Sequence, residues 1–315
     1  MGDQPAVVGG EGSGVRERLL SDASRLNNAG PSPSAQRVLA PFGRRECDVV
    51  ARRESGGYVV FSALDREGPD PAAGQFYMLA ADSWGTDGGR PFLPRAFSVA
   101  EAERGVKGVR LDFLVDAVGP GTSRLAALRE GERLLVTGPL GRPFSAPAEV
   151  NQGASGGILV GGGIGIAPMA ILRRSLADAG VPARTLLGFR DRAHCGGLEL
   201  FECSEVGIAT EDGHQGHRGY VTDLLAAALK GDDAASAVVY ACGPPAMLEA
   251  VRVLCAERGA AAELAMEAPM ACGFGACFGC AVPLAAGGYM RLCVDGPVVR
   301  ADEIETALVA GAGHR

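Results

Sequence analysis

The sequence has no apolar stretch long enough to cross a membrane. Its apolar runs are short and interrupted by glycine, and none approaches the roughly 18 residues that a membrane-spanning helix needs. The first residues, Met1 to Pro5, lack the basic flank and apolar stretch of a secretory signal, so we expect a cytoplasmic protein. Lysine is also scarce: it occurs only at positions 107 and 230, nearly all other cations are arginine, and the formal net charge is −7. This charge argues against nucleic acid as the main partner.

The nine cysteines do not form the pattern of a disulfide framework, because their number is odd and no signal peptide precedes them. Five of them are scattered singly, and we expect these to be small buried apolar residues. The other four lie within 22 residues near the C-terminus. Glycine is abundant, with 47 residues beside 19 prolines, which indicates many tight turns and close backbone approaches.

Composition and periodicity divide the chain into four segments. Residues 1–43 predict a disordered tail, because they cannot bury enough apolar surface to offset the entropy of ordering. Residues 44–147 contain short strands separated by turns, which predicts a barrel or a sandwich. In residues 148–262 strands alternate with helices, which predicts a doubly wound parallel sheet. Residues 263–315 hold the four clustered cysteines and form a third, small unit.

The elements of the two larger units follow from the apolar pattern and the turn residues. The predicted strands are Cys47–Ala51, Tyr58–Ala63, Gln75–Ala80, Ala96–Ala100, Gly108–Val115 and Arg133–Thr137 in the first unit, and Gly157–Val160, Arg184–Phe189, Val206–Thr210 and Ala237–Cys242 in the second. The predicted helices are Thr122–Leu128, Pro168–Ala179, Val221–Lys230 and Pro245–Glu257.

The spacing of the four clustered cysteines predicts a [2Fe–2S] cluster. Cys272, Cys277, Cys280 and Cys293 follow the pattern C-x4-C-x2-C…C, which is that of plant-type ferredoxins. The glycines between them let the backbone approach the cluster closely and direct N–H groups at its sulfides. A structural zinc site is the alternative, although zinc sites usually pair two C-x2-C knuckles. Free thiols are a third possibility.

Two turns of the second unit predict a dinucleotide site. The first, which contains Gly162, Gly163 and Gly165, lies between a strand and a helix, where an α/β sheet binds a pyrophosphate. The second, Cys242-Gly243-Pro244, ends a later strand and begins a helix. Both turns follow the carboxyl ends of strands, where open α/β sheets bind ligands. A glycine-rich turn alone is as consistent with tight packing as with a phosphate site.

The order of these motifs resembles the ferredoxin–NAD(P)⁺ reductase superfamily. Its flavin-binding signature R-x-[FY]-[ST] matches Arg95-Ala96-Phe97-Ser98, upstream of GGGIGIAP and CGPPAM. The segment from Met266 to Cys280, with the closing Arg291-Leu-Cys293-Val-Asp-Gly-Pro, resembles more narrowly the electron transfer subunits of dihydroorotate dehydrogenase B. The resemblance covers residues 44–305. It implies an N-terminal antiparallel flavin-binding β-barrel, a doubly wound parallel nucleotide-binding sheet and a small C-terminal [2Fe–2S] subdomain.

The resemblance also implies which residues bind the cofactors. Arg95 to Ser98 would hold the flavin ring and its phosphate side, and Gly121-Thr122 would meet the FAD pyrophosphate at the start of a helix. Leu114-Val115-Asp116 would flank the adenosine half, although the family usually has an aromatic and a basic residue there. Cys242 would lie near the nicotinamide. The resemblance assigns no catalytic acid or base. It implies NAD as the nicotinamide cofactor, whereas Arg190 and Arg192, which follow a strand, could bind the 2′-phosphate of NADP.

The implied function is electron transfer in pyrimidine (UMP) biosynthesis. Electrons from dihydroorotate, oxidised by a separate FMN-containing catalytic subunit, would pass through the [2Fe–2S] cluster and FAD to NAD⁺. The expected assembly is a heterotetramer with two copies of each subunit. One alternative is the small subunit of a sulfide dehydrogenase or of a ferredoxin-dependent transhydrogenase, in which we expect an aspartate in place of one cysteine. Another is a non-enzymatic scaffold with a zinc clip.

Overall fold

The computed structural model describes residue 39 and residues 43–84, 93–201, 205–230, 236–309 and 311. The predicted disordered tail, residues 1–43, lies outside the described residues except at Leu39 and Gly43. Within the described residues, none of the helices is long and apolar enough to span a membrane.

The first unit is a seven-stranded antiparallel sheet. Its strands are β1 (Arg45–Ser55), β2 (Tyr58–Asp65), β3 (Phe76–Ala81), β4 (Arg95–Ser98), β5 (Glu101–Gly105), β6 (Gly108–Val115) and β7 (Arg133–Leu140), in the order β4-β3-β7-β1-β2-β6-β5. Immediately after β4, the Ala100 N–H donates to the Asp112 carbonyl on β6 at 2.9 Å. Because this bond joins the two sides of the sheet, the sheet curls into a barrel rather than a sandwich. The short helix α1 (Pro120–Ala126) follows β6 and buries Leu125.

The second unit is a mostly parallel sheet with helices on both faces. Its strands are β8 (Gly156–Gly162), β9 (Ala183–Phe189), β10 (Val206–Thr210), β11 (His217–Arg218), β12 (Ala237–Cys242), β13 (Ala262–Ala265) and β16 (Val298–Arg300), in the order β11-β10-β9-β8-β12-β13-β16. Its helices are α2 (Pro147–Val150), α3 (Ala167–Asp178), α4 (Val221–Ala228) and α5 (Pro245–Arg258). Only β16 runs antiparallel to its neighbour. This is the predicted doubly wound arrangement.

The side chains of β8 alternate between two hydrophobic clusters, as expected for a strand covered on both faces. Leu159 packs with the apolar residues of α3, whereas Ile158 and Val160 pack with those of α4 and α5. The next strand along the chain, β9, pairs with one edge of β8, and β12 pairs with the other edge. The strand order therefore reverses beside β8, and a ligand crevice is expected outside the carboxyl ends of β8 and β12.

The cysteine segment is an excursion between two neighbouring strands of this sheet. It leaves after β13, forms the hairpin β14 (Ala281–Pro283) and β15 (Tyr289–Arg291), and returns as β16. Ala265 pairs with Val298, so the two ends of the excursion are adjacent. The loop also rests on the barrel, because a Cβ on Gly273 would meet the Met78 side chain at 2.6 Å.

A second contact joins the barrel to the nucleotide-binding side. The Ser55 hydroxyl, at the end of β1, donates to Glu199 at 2.7 Å and accepts from the Gly197 N–H at 2.7 Å. A Cβ on Gly56 would lie 1.9 Å from the Cys195 carbonyl oxygen, so the β1–β2 turn needs glycine there for packing. These contacts fix the width of the crevice between the two sheets.

Candidate functional site: an interdomain cleft and a four-cysteine loop

A cavity of about 590 Å³ opens between the barrel and the parallel sheet. This volume lies in the range of small-molecule and cofactor sites. The predicted site residues that line it come from both units: Arg95, Ala96, Phe97, Ser98, Leu114, Asp116 and Thr122 from the barrel side, and Gly165 and Cys242 from the sheet. The structure thus brings together motifs that lie up to 147 positions apart in the sequence, since Arg95 and Cys242 line the same cavity.

Arg95 is the cationic group on the barrel side of the cavity. It begins β4, and its guanidinium donates to the Leu93 carbonyl at 2.7 Å and lies 5.8 Å from the centre of the Trp84 ring. Among the described residues, no carboxylate pairs with it. A Cβ on Gly121 would lie 3.0 Å from the guanidinium carbon, so glycine at the start of α1 leaves room for Arg95. The charge therefore remains available to an anionic or polar ligand.

Thr122 helps to build the turn that faces Arg95. Its hydroxyl accepts from the Gly119 N–H at 3.0 Å and donates to the Gly119 carbonyl at 3.1 Å. These two bonds hold the chain at the entrance of α1.

Six predicted residues do not line the cavity. Val115 is fully buried in the barrel core. Gly121 lies behind Arg95, as described above. The others belong to the two turns of the parallel sheet: Gly162, Gly243 and Pro244 contact each other, and a Cβ on Gly163 would lie 3.7 Å from the Tyr58 hydroxyl.

Close packing between the two turns explains most of their glycines. A Cβ on Gly162 would meet the Met247 sulfur at 2.4 Å, and one on Gly243 would meet the Met247 methyl carbon at 2.6 Å. A Cβ on Gly165 would lie 2.5 Å from the Cys242 carbonyl oxygen. Gly163 adopts a φ of +53°, which favours glycine for a conformational reason. Close packing and ligand binding are therefore compatible at this turn, because Gly165 packs against Cys242 and also lines the cavity.

Cys242 is a neutral thiol at the sheet side of the cavity. Burial raises its pKa well above the usual range, and the nearby negative charge of Glu267 raises it further. A thiol in this state is not an activated nucleophile. Its contribution is a small, apolar, close-packed wall.

Several lining residues escaped the sequence prediction. Ile164 and Pro168 come from the turn after β8, and a second group follows β13 in the order Ala265, Met266, Glu267, Ala268, Pro269, Met270 and Ala271. Together with Gly279, this second group connects the cavity to the cysteine loop. The sequence feature that could have predicted this second group is its position, because it directly precedes Cys272.

The four predicted cysteine ligands form two pairs. The sulfurs of Cys280 and Cys293 lie 3.2 Å apart, and the Cys293 N–H points at the Cys280 sulfur at 3.5 Å. The thiol of Cys272 interacts with that of Cys277. Cys280 and Cys293 are buried, whereas Cys277 is exposed. One pair is therefore enclosed and the other faces outward.

The loop backbone is arranged to stabilise thiolates. Partial burial raises the pKa of Cys272, but N–H groups of Cys277, Phe274 and Ala276 outweigh it and lower that pKa to about 6. Burial raises the pKa of Cys293 to about 12, and its hydrogen bond with Cys280 adds to the effect. Gly273 and Gly275 have φ angles of +77° and +86°, which fold the N–H groups inward.

This donor set fits a two-iron cluster. In such a cluster each iron takes two cysteine thiolates and shares two sulfides, so the thiolates are required in pairs. A single zinc ion requires four donors around one point. Within the described ranges, no three His, Cys, Asp or Glu side chains converge on a single ion position. The pairing of Cys272 with Cys277 and of Cys280 with Cys293 therefore favours the predicted cluster over the zinc alternative.

Comparison with known families agrees with this division of the chain. Residues 267–305 match the iron–sulfur cluster binding domain of dihydroorotate dehydrogenase B, and residues 159–253 match the oxidoreductase NAD-binding domain. These matches confirm the predicted iron–sulfur segment and the predicted nucleotide-binding sheet.

Solved structures confirm the fold. The chain superposes on the structure of an NADH-dependent reduced ferredoxin–NADP oxidoreductase with a TM-score of 0.70 and 24% identity, covering 84% of this chain and 92% of that one. The predicted fold, with a barrel followed by a mostly parallel sheet, is thus shared with that structure.

Sequence relatives are closer. The dihydroorotate dehydrogenase B (NAD(+)) electron transfer subunit of Caldanaerobacter subterraneus subsp. tengcongensis is 34% identical over 263 residues, which is 81% of this chain and 96% of that protein. The corresponding subunit of Bacillus caldolyticus is 38% identical over 219 residues, 68% of this chain and 80% of that protein. These relatives favour the predicted family over the sulfide dehydrogenase, transhydrogenase and scaffold alternatives. The chain belongs to the family of dihydroorotate dehydrogenase B electron transfer subunits.

Proposed function

We propose that this chain carries electrons from dihydroorotate oxidation, performed by an FMN-containing partner subunit, to NAD⁺ in pyrimidine biosynthesis. Its cofactors are FAD, a [2Fe–2S] cluster and NAD. When bound, the cluster and the flavin supply the conversion between one-electron and two-electron transfer, because a cluster moves single electrons and nicotinamide accepts two. The chain's own residues bind and orient these groups.

One observation carries the proposal: a single cavity connects the flavin motif, the nucleotide turn and the cysteine loop. Ser98 on β4, Gly165 after β8 and Gly279 between two of the cysteines all line it. A flavin bound in this space would contact residues of the nucleotide turn as well as residues of the cysteine loop.

The residues of the barrel side provide the flavin contacts in this proposal. Arg95 supplies a guanidinium that pairs with no carboxylate of the described residues, for a phosphate or a flavin carbonyl, and Ser98 supplies a hydroxyl to the ring. Thr122 shapes the turn in which the pyrophosphate lies. Leu114 and Asp116 line the same cavity, which supports their assignment to the FAD site.

The loop after β9 favours NAD over NADP. Asp191 lies two residues beyond β9, where an acidic side chain accepts the ribose hydroxyls of NAD. A hydrogen bond from His194 and a further bond from Arg190 lower the pKa of Asp191 to about 2, so it carries a full negative charge at neutral pH. Arg190 donates to this carboxylate at 3.1 Å, which engages the guanidinium that a 2′-phosphate requires.

The partner is expected to dock on the cysteine loop. Phe274, Phe278 and Tyr289 are large apolar side chains that are 53%, 63% and 76% exposed around the exposed Cys277. Aromatic residues are enriched at the centres of protein interfaces. Burial of this patch by an FMN-containing catalytic subunit would place that subunit beside the outward-facing cysteine pair, and two copies of each subunit make up the proposed heterotetramer.

The functional units in this proposal follow the sequence boundaries. Residues 44–147 bind FAD, residues 148–262 bind NAD, and residues 263–315 hold the cluster. The β13–β16 pairing means that the third unit shares a sheet with the second.

Cofactor analysis of the purified chain tests the function. We expect about two irons and two labile sulfides per chain, together with flavin absorption bands, as the cysteine spacing implies. Co-purification from the native host identifies the partner, which we expect to be an FMN protein that oxidises dihydroorotate. Stoichiometric zinc without sulfide would contradict the cluster, and a chain without flavin would contradict the electron transfer function.

The docking patch gives a further prediction. The substitution Phe274→Ser removes an exposed ring beside Cys272, and we expect it to weaken partner binding by about 30-fold, the effect of losing one aromatic anchor of about 2 kcal/mol. The measurement is the dissociation constant of the two-subunit complex. The control is Val106→Ser, which changes an exposed apolar residue on the β5–β6 turn. Equal affinities for the Phe274 variant and the control would place the interface elsewhere.

A further inference from the structure

Arg291 is a charged residue beside the cysteine loop that the proposed function has not yet used. It is the last residue of β15, and the pairing of β15 with β14 places it opposite Ala281, the residue after Cys280. The hairpin therefore returns an arginine to the loop that carries the cysteines. Among the described residues of the third unit, the other residue with a positive charge is Arg300 on β16.

The Arg291 guanidinium contacts both limbs of the cysteine loop, the stretches before and after Cys277. On the first limb it donates to the Gly275 carbonyl at 3.3 Å. On the second limb its central carbon lies 5.3 Å from the centre of the Phe278 ring. Phe278 has a φ of +58°, a backbone conformation that residues other than glycine rarely adopt. A side chain that contacts both limbs holds the peptide groups between them in fixed directions.

The peptide group that Arg291 contacts also faces a cysteine. The carbonyl of Gly275 and the N–H of Ala276 belong to one planar peptide group and point in opposite directions. Arg291 donates to that carbonyl, and the Ala276 N–H donates to the Cys272 sulfur. The guanidinium, the peptide group and the sulfur thus form a chain of hydrogen bonds, in which each bond polarises the next. A charged donor at the start of this chain strengthens the bond to the sulfur.

Asp295 is the carboxylate that faces the same guanidinium. Its Oδ2 atom accepts from the Arg291 backbone N–H at 2.9 Å and lies 3.7 Å from the guanidinium Nε. Both side chains are partly exposed, so water and salt screen their charges in part. One positive and one negative group therefore lie together beside the loop, and removal of either one alone should change the electrostatic potential there in the opposite direction to removal of the other.

We infer that Arg291 is a positioning residue that raises the reduction potential of the cluster, through its charge and through the peptide group of Gly275 and Ala276. The inference rests on the proposed function, because it requires a cluster in the loop. The thiolates and sulfides of a [2Fe–2S] cluster outweigh the charge of its two ferric ions, and reduction adds one more electron. Net charge and hydrogen bonds to the sulfurs therefore set its potential. A nearby cation favours the reduced cluster, which is the form that the partner subunit has to produce.

The substitution Arg291→Gln should make the cluster harder to reduce, because it removes the cation and leaves the Asp295 carboxylate without its partner. At a solution potential equal to the wild-type midpoint, we expect the ratio of reduced to oxidised cluster to fall by about 10-fold. For a one-electron couple this is a shift of the midpoint by about 59 mV to more negative values. The measurement is a redox titration of the cluster-loaded chain, in which the electron paramagnetic resonance signal reports the reduced cluster.

Two further variants fix the sign of the effect. Asp295→Asn removes the negative group and should shift the midpoint to more positive values, while its amide oxygen still accepts from the Arg291 N–H. Arg291→Lys keeps the charge but lacks the planar fork of arginine, so its midpoint should lie between those of the wild type and Arg291→Gln. Arg300→Gln is the matched control, because Arg300 belongs to the same unit and pairs with Asp302 at 3.1 Å. It should leave the midpoint unchanged.

Shifts of opposite sign at Arg291 and Asp295 support the inference, because a purely structural role would not produce them. A midpoint of Arg291→Gln equal to that of the wild type, or shifts of Arg291→Gln and Asp295→Asn in the same direction, would overturn it. If Arg291→Gln does not retain iron, Asp295→Asn decides the matter: a more positive midpoint supports the inference, and an unchanged or more negative one overturns it. A wild-type chain that holds no iron–sulfur cluster would instead contradict the proposed function.

Discussion

The substitution Cys277→Ser should abolish coupled turnover of dihydroorotate and NAD⁺ while NADH-driven dye reduction persists. It replaces a soft thiolate with a hydroxyl, which is a poor ligand for iron. In many metal sites, mutation of a residue that only hydrogen-bonds to a ligand lowers metal affinity or activity by about 10- to 100-fold. Loss of a ligand itself should therefore lower coupled turnover by at least about 100-fold. Arg95, Ser98 and Gly165 lie in the cavity and not on the loop, so the exchange between flavin and NADH should continue. The two measurements are NADH-driven dye reduction by the isolated chain and dihydroorotate-driven NADH formation with the partner.

Cys195→Ser is the matched control for this experiment. Cys195 is half-buried in the loop after β9, and its sulfur lies 3.8 Å from the Gln215 side-chain oxygen, away from the four clustered cysteines. Iron content and coupled turnover should both stay at the wild-type level. A Cys277→Ser chain that still couples dihydroorotate to NAD⁺ at the wild-type rate would show that the cluster is not on the electron path. Without the partner, the wild-type chain should oxidise no dihydroorotate.

The substitution Arg95→Ala should release FAD while leaving the fold intact. It removes a charge-assisted contact worth about 1.5–3 kcal/mol, which corresponds to a loss of FAD affinity of about 10- to 150-fold. The fold should survive because the guanidinium bonds only to backbone carbonyls of residues 93 and 94 among the described residues. The measurements are flavin retained after dialysis and the melting temperature.

Arg104→Ala is the control for this change. Arg104 is an exposed arginine of the same barrel that pairs with Asp70 at 2.8 Å, and exposed pairs of this kind contribute about 0–1 kcal/mol. Its loss should not affect flavin content. If the Arg95→Ala chain keeps its full flavin content after extensive dialysis, Arg95 does not hold FAD.

The sequence predicted most of the fold because the strands of both sheets have clear apolar patterns and turn residues at their ends. Three strands, β6, β10 and β12, begin and end where they were predicted. The edge strand β5 (Glu101–Gly105) was missed, because its charged residues are typical of an exposed edge and carry no apolar period. The short strands β13 to β16 were also missed, since three or four residues are too few to show an apolar period and pairing stabilises them rather than local propensity.

The metal site was easier to predict from the sequence than the cavity. The four cysteines require a fixed spacing, and that spacing is visible in one dimension. The cavity is formed by residues from distant parts of the sequence, such as Arg95 and Cys242, so no single stretch of sequence predicts it. The turn glycines illustrate the opposite case, because a motif that predicts phosphate binding also satisfies the close packing of Gly162 and Gly243 against Met247.

The pairing of Ala265 with Val298 has a consequence for how the chain would behave without its metal. The loop between them is a closed excursion anchored at both ends on one sheet edge, so its ends stay together when its interior melts. The entropy cost of closing such a loop grows only with the logarithm of its length, and the pairing of β13 with β16 already offsets it. Metal loss should therefore appear as a local opening of the loop with rapid amide exchange there, while the amides of β13 and the sheet interior exchange as slowly as in the metal-loaded chain. The excursion is in this sense a separable module, and its removal as a unit would require only a short connection between β13 and β16.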